Sequence, residues 1–247
     1  MKIDIITIFP RMFDQIFEES MIGRARKNGI LDIKIHNLRD FSENKHRIVD
    51  DRPFGGGSGM VLKAEPVYKA VGYIKKVTKK LKSKIIFLSP QGKALNNKVA
   101  IDLSKEKHLI FICAHYEGVD ERVMKLIDSE ISIGDYVLTG GELPAMVVVD
   151  AIARFMPGVI KENESVEKDS FFNGLLDYPH YTRPRIFKKA KVPDVLLSGN
   201  HKEIEKWRKK QSFKNTLLKR PELFKNKNLT EEEIKLVKEL KKEQKND

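Results

Sequence analysis

The chain has 247 residues, 40% of them hydrophobic and 33% charged, and its 47 Lys and Arg against 35 Asp and Glu leave a net charge of +12. At about 150 residues per domain this suits one large globular domain, or a medium one with a small companion, and excludes an intrinsically disordered chain. The single cysteine, Cys113, excludes a disulfide framework and a Cys-based zinc ribbon. The longest apolar run, residues 145–153 with Asp150 inside it, is too short to span a membrane. Met1-Lys2-Ile3-Asp4 lacks the charged-then-apolar pattern of a signal peptide, so the expected location is the cytoplasm.

Residues 2–8 alternate and are β-branched, which predicts a strand ended by Pro10. Residues 12–27 read as a helix, 31–35 as a second strand and 39–60 as a long polar loop. Residues 66–80 predict a helix with Pro66 in its first turn. Three near-continuous apolar strands follow at 85–88, 109–113 and 131–133, the pattern of a sheet covered on both faces. Helices are expected between them at 97–103 and 120–127, and a last one at 142–155. This alternation predicts an α/β fold with a mainly parallel sheet over residues 1–160. A flexible interdomain linker is expected over 161–173. A small, mostly helical basic domain follows over 174–247, without strands and with helices at 202–219 and 230–243. Thr230 and Glu233 have the spacing of a capping box.

Charge is unevenly spread. Residues 183–220 hold 13 basic residues and 3 acidic ones, a concentration that attracts polyanions. Between Lys125 and Arg154 there is no Lys or Arg, but there are Asp128, Glu130, Asp135, Glu142 and Asp150. That suits a cationic ligand and not a phosphate; a buried strand and helix would exclude long basic side chains as well.

Gly55-Gly56-Gly57-Ser58-Gly59 is neither a P-loop nor a dinucleotide fingerprint, since no Gly-Lys-Ser/Thr follows and no strand precedes it. It fits a flexible tip, or a backbone that approaches a ligand closely; the adjoining Asp50-Asp51-Arg52-Pro53-Phe54 favours the second. Ser89-Pro90-Gln91-Gly92, Cys113-Ala114-His115-Tyr116-Glu117-Gly118 and Ile133-Gly134-Asp135-Tyr136-Val137-Leu138-Thr139-Gly140-Gly141 each follow a predicted strand. Parallel sheets bind ligands outside the carboxyl ends of their strands, so three such loops together point to one ligand pocket. Gly174-Leu175-Leu176-Asp177-Tyr178-Pro179-His180-Tyr181-Thr182-Arg183-Pro184 gathers an acid, aromatics, a His and an Arg. This is either a carboxylate base beside base-stacking groups or a helix cap with packed tyrosines. His36, His46, His108 and His201 have no metal-like spacing.

These motifs resemble the bacterial tRNA (guanine-37-N1)-methyltransferases of the trefoil-knotted SPOUT class. The resemblance rests on Asp51 through Met60, Ser89 through Gly92, Tyr116 through Arg122, Ser132 through Pro144 and Gly174 through Pro184, and is extended by Pro193 and by Leu196 through His201. It implies a knotted domain that binds S-adenosylmethionine against Leu88, Ala114, Ile133, Gly134, Asp135, Tyr136, Val137, Leu138, Gly140, Gly141 and Pro144. It implies Asp177, from the other subunit of a homodimer, as the base for the guanine N1 proton, with Arg154 stabilising the anion and Glu117 helping to place the guanine. Asp50, Arg52, Gly59, Tyr116, Tyr181, Arg183 and His201 are expected to contact the tRNA. The reaction in this family is assisted by magnesium, whose ligands the motifs do not identify. The chain departs from the family's frequent Cys-Gly-Arg-Tyr-Glu-Gly at Ala114 and His115, so no Arg at 115 can grip the substrate.

The chemistry agrees with the resemblance. A sulfonium donor is cationic. Neutral guanine N1 is a poor nucleophile until its proton is removed and the charge spreading to O6 is stabilised. Two alternatives stay open: a SPOUT enzyme acting on another RNA nucleotide, such as a ribose 2′-hydroxyl, and a non-catalytic RNA-binding protein, which would leave the three loops without a purpose.

Overall fold

The computed structural model describes residues 1–79, 81–160 and 167–246. The chain divides into two units, Met1–Lys161 and Glu162–Asp247. The expected linker falls partly on residues 161–166, which lie outside the described residues, as do residue 80 at the end of the second predicted helix and residue 247.

The first unit carries strands β1 (Lys2–Thr7), β2 (Asp32–Asn37), β3 (Asp50–Asp51), β4 (Val61–Leu62), β5 (Lys84–Ala94), β6 (His108–Cys113) and β7 (Ser129–Ser132). Five of them form one sheet in the order β2-β1-β6-β5-β7, with every neighbouring pair parallel. The helices are α1 (Ser20–Lys27), α2 (Ala64–Val77), α3 (Asn97–Ser104) and α4 (Glu142–Ala153). Side chains alternate across the pleat. Ile3, Ile5, Leu109 and Phe111 pack with α1, α3 and α4 on one face. Ile6, Ile85, Ile110 and Ile112 pack with α2 on the other. Covered on both faces and flanked by neighbours, β6 is buried along its whole length; each such Ile or Phe contributes about 1.5–3 kcal/mol. The α/β class and the parallel sheet match the expectation, and parallelism places the carboxyl ends of β5, β6 and β7 at one edge.

Several elements differ from the sequence reading. The helix expected over 12–27 is split into a 3-10 turn at Pro10–Phe13 and α1, because Ser20 takes the left-handed conformation (φ 55°) where a continuous helix would need the right-handed one. The helix expected over 120–127 is a 3-10 segment, Glu121–Leu126. The loop expected over 39–60 contains β3, paired antiparallel with β4. Residues 89–92 are not a loop that ends a strand. They lie inside β5, which loses register with β7 after Leu88 and regains it at Lys93.

In the second unit, α5 (His201–Lys219) and α6 (Glu231–Asn246) are preceded by a hairpin of β8 (Ile186–Phe187) and β9 (Ala190–Lys191). No strand was expected there; two-residue strands carry too little periodicity to be read. The Asn200 side chain caps α5 by accepting from the Glu203 N–H at 3.3 Å. The capping box of α6 forms as expected: the Thr230 N–H donates to Glu233 Oε2 at 3.0 Å, and the Glu233 N–H donates to Thr230 Oγ1 at 3.3 Å. Leu175, Phe213 and Leu240 form the buried centre of this unit.

Candidate active site

The segments that leave β5, β6 and β7 enclose a cleft of about 610 Å³ in the first unit. Leu88, Ala114, Ile133, Gly134, Tyr136, Val137, Leu138, Gly140, Gly141 and Pro144 all line it. Asp135, expected with them, is not in the lining. Tyr116 and Glu117 are. Met124 and Glu121, not singled out as site residues in the sequence, also face the cleft, as does Glu130, named there only among the acids of the stretch free of Lys and Arg. Glu130 sits on β7 between Ser129 and Ile131. Glu117, Glu121 and Glu130 thus stand around a cleft whose described lining contains no Lys or Arg.

Close backbone approach builds the wall. The Gly141 N–H donates to the Ala114 carbonyl at 2.7 Å, and His115 bridges to Gly140. A Cβ at Gly141 would lie 2.7 Å from Cys113 Cα, so only glycine lets the two segments pass this closely. Beneath them Glu142 is buried at the start of α4. The Thr7 hydroxyl donates to Glu142 Oε1 at 2.7 Å, and Glu142 Oε2 lies 3.8 Å from His115 Nδ1. The His115 ring meets Phe9 and Tyr116 edge to face, with centroids 4.8 and 4.9 Å apart. Position 115 is therefore packed by aromatic rings and lies above the Glu142 carboxylate, with no hydrogen-bond partner for its Nδ1 among the described residues. Burial pushes the Cys113 thiol well above its ordinary range, and the Glu142 charge adds to this.

The glycine loop is tied to this rim. The Glu117 N–H donates to the Met60 carbonyl and the Leu62 N–H to the Gly118 carbonyl, each at 3.0 Å. Gly59 has φ +87°, and a Cβ there would fall 2.5 Å from Glu117 Oε1. Gly59 and Glu117 are thereby brought together. Asp50 on β3 pairs with Leu62, Arg52 is exposed, and Phe54 projects fully into solvent.

Arg154 is not brought to this cleft. It caps the C-terminus of α4, whose N-terminus forms the cleft wall, and 12 helical residues lie between. At the ordinary helical rise that is roughly 18 Å.

In the second unit Asp177 is held in an extended turn by groups the sequence did not flag. Its N–H donates to Ser170 Oγ at 2.9 Å, and its carbonyl accepts from Asn215 Nδ2 at 2.8 Å. Next to it, the Leu176 N–H donates to Thr216 Oγ1 at 2.9 Å and the Ser212 hydroxyl donates to the Leu176 carbonyl at 2.5 Å. Ser212, Asn215 and Thr216 look in sequence like ordinary polar helix positions. Both Asp177 oxygens are engaged: Oδ1 accepts the Tyr178 N–H at 2.6 Å, and Oδ2 lies 2.8 Å from His180 Nε2. Asp169, a second carboxylic residue, directly precedes Ser170, and its main-chain carbonyl accepts the Phe172 N–H. The Arg208 guanidinium lies 5.0 Å over the Tyr178 ring. Tyr181 and Arg183 are exposed, Tyr181 is 6.3 Å from Trp207 by ring centroids, and His201 is the exposed first residue of α5.

Comparison with known proteins adds identity to this geometry. The family model described as tRNA (Guanine-1)-methyltransferase TrmD matches residues 1–226. A protein of Dictyoglomus turgidum named tRNA (guanine-N(1)-)-methyltransferase is 55% identical over 243 residues, 98% of each chain. Proteins of the same name from Buchnera aphidicola and Clostridium novyi are each 56% identical, over 96% of this chain and 90% and 97% of their own.

Proposed function

The chain belongs to the tRNA (guanine-1)-methyltransferase family, and on that premise we propose that its cleft binds S-adenosylmethionine and that it methylates N1 of guanine 37 in tRNA. It is a tRNA guanine-N1 methyltransferase by family and by relatives more than half identical over nearly its full length. The observation that carries the cofactor reading is the cleft itself. Three glutamates and no described Lys or Arg surround it, an electrostatic setting that favours a cation and repels a phosphate. When bound, S-adenosylmethionine supplies an electrophilic methyl group on a positively charged sulfur. Ala114, Gly140 and Gly141 offer main-chain contacts, and Leu88, Ile133, Leu138 and Pro144 an apolar wall. The close passage of Gly140 and Gly141 against the segment leaving β6 supports the trefoil knot of the SPOUT class.

Guanine N1 must lose its proton before or during transfer, and an ordinary Asp, ionised at neutral pH, is a weak base. It works only where the anion forming at O6 is stabilised at the same time, the role assigned to Arg154. The 169–180 loop supplies the base. Asp177 is the residue the resemblance puts forward, with a backbone fixed by α5. One observation favours a second reading: both Asp177 oxygens already have partners, which suits a residue that holds the loop, and Asp169 is the other acid of residues 169–180.

Arg154 at the far end of α4 reaches a cleft only from another copy of the chain, which supports a homodimer with shared sites. The basic run over 183–220 suits the tRNA backbone. No helix of the described residues is long and apolar enough to cross a membrane, and a tRNA-modifying role supports a cytoplasmic location. Among the described residues no group of three or more His, Cys, Asp or Glu is placed to hold a metal ion.

Single-turnover methylation tests the base. Asp177→Asn lowers the rate by about 10²-fold with cofactor and tRNA affinity within a few-fold if Asp177 takes the proton. If Asp177→Asn acts through tRNA affinity and Asp169→Asn abolishes the chemical step, the base is Asp169. Near wild-type rates in both variants would contradict the reading of this loop.

A further inference from the structure

We infer that the β8–β9 hairpin is an RNA-gripping finger that stacks Phe187 on an unpaired base and holds the flanking phosphates with Lys188 and Lys189. This rests on the reading of the chain as a tRNA methyltransferase and adds a contact that none of the family motifs contains.

The hairpin is short and closed: Ile186 pairs with Lys191, Phe187 pairs with Ala190, and the Val192 N–H donates to the Arg185 carbonyl at 3.0 Å. Its two-residue loop is Lys188-Lys189, with φ +45° and +68°. Two positive values define the hairpin turn that Asn-Gly makes at least cost. Lysine at both positions is a poor choice for stability, and a costly backbone at an exposed tip points to use. The use is written in the surroundings. Residues 180–191 are all exposed. They include Arg183, Arg185, Lys188, Lys189 and Lys191 and no Asp or Glu. Among the described residues none of these five cations pairs with a carboxylate.

Two large apolar side chains share the tip: Ile186 is 57% exposed and Phe187 62%. Nothing in the hairpin covers the Phe187 ring except Lys188, whose Nζ stands 5.6 Å from its centroid. An exposed aromatic face ringed by unpaired cations matches single-stranded nucleic acid, in which every base offers a π-face and every nucleotide a charge. The absence of acidic residues disfavours a protein partner with a mixed-charge surface. A duplex would leave Phe187 without a base to stack on.

The test uses the full chain and an unmodified substrate tRNA transcript. Lys188→Asn with Lys189→Gly removes both charges and installs the preferred turn, so the hairpin is kept. It is expected to weaken tRNA binding about tenfold and to flatten the slope of log affinity against log salt by about 1–2. Phe187→Ala is expected to weaken binding at least 5-fold with the salt slope unchanged, and Phe187→Trp to restore it. Calorimetric affinity for S-adenosylmethionine stays at the wild-type value in all three. Unchanged tRNA affinity and slope in the charge variant, or Phe187→Trp binding as weakly as Phe187→Ala, overturns the finger while wild-type methylation still stands. Wild-type protein that neither binds nor methylates the tRNA overturns the functional reading, and the finger with it.

Discussion

Asp4 shows how much of a fold can hang on one carboxylate. It is sealed inside the sheet, with His36 Nε2 and His108 Nε2 at 2.6 and 2.7 Å from its two oxygens. Burial pushes its carboxyl up, but the hydrogen bonds from His108 and His36 and the charges of His36 and Lys2 outweigh it and bring the pKa to about 2. The folded value lies below the unfolded one, so the stabilisation is present above about pH 4 and is lost as pH falls toward 2. Urea unfolding over this range is expected to show it, and Asp4→Asn is expected to flatten that part of the profile and to cost about 2 kcal/mol at pH 7. A pH profile identical to wild type would contradict the assignment. The sequence could not reveal this cluster. Its members are 32 and 104 residues apart, and only the register of three parallel strands brings them together. Cys113 is the other sealed group: with its thiol pKa raised by burial, it is expected to resist alkylation until the protein unfolds.

At the scale of elements, what could be read was what has a period or a punctuation mark. The apolar run 109–113 of β6, the buried stripe of α2 and the capping box of α6 are such cases. The split near Ser20 and the continuation of β5 through residues 89–94 depend on tertiary contacts, and local pattern does not record them. The cleft was partly legible for the same reason: its walls are loops that follow recognisable strands, and Glu130 belongs to a stretch free of Lys and Arg, whereas Met124 reaches it from a position that looks like core. The loop around Asp177 was legible as a motif but not as a scaffold, because Ser170, Ser212, Asn215 and Thr216 act only through the packing of α5 against it. Two substitutions test the element picture. Gly141→Ala places a Cβ 2.7 Å from Cys113 Cα, so the loop must shift, and calorimetry is expected to show at least a tenfold loss of S-adenosylmethionine affinity. Gly56→Ala meets no atom within 4 Å and has only its φ of +80° to oppose it; about 1 kcal/mol of stability is expected to be lost, with cofactor binding unchanged.

For the whole molecule, two separations follow from the two units and the position of Arg154. A fragment of residues 1–160 holds the entire cleft, and is expected to fold and bind S-adenosylmethionine without methylating tRNA. On the proposed dimer both Asp177 and Arg154 come to a cleft from the partner copy, so the informative mixture pairs inactive Asp177→Ala protein with the cofactor-weak Gly141→Ala protein: turnover at limiting S-adenosylmethionine is expected to return after subunit exchange. No recovery after confirmed exchange would contradict the shared site. The central claim, that the acidic, glycine-walled cleft serves methyl transfer to a guanine ring nitrogen, is tested most directly by nucleoside mapping. A tRNA transcript is incubated with the enzyme and S-adenosylmethionine, digested, and its methylated nucleoside identified and placed by mass spectrometry. The account predicts 1-methylguanosine at position 37 and nowhere else; a methyl group on a ribose 2′-hydroxyl or another base, or no methylated nucleoside from an enzyme that binds both partners, would contradict it.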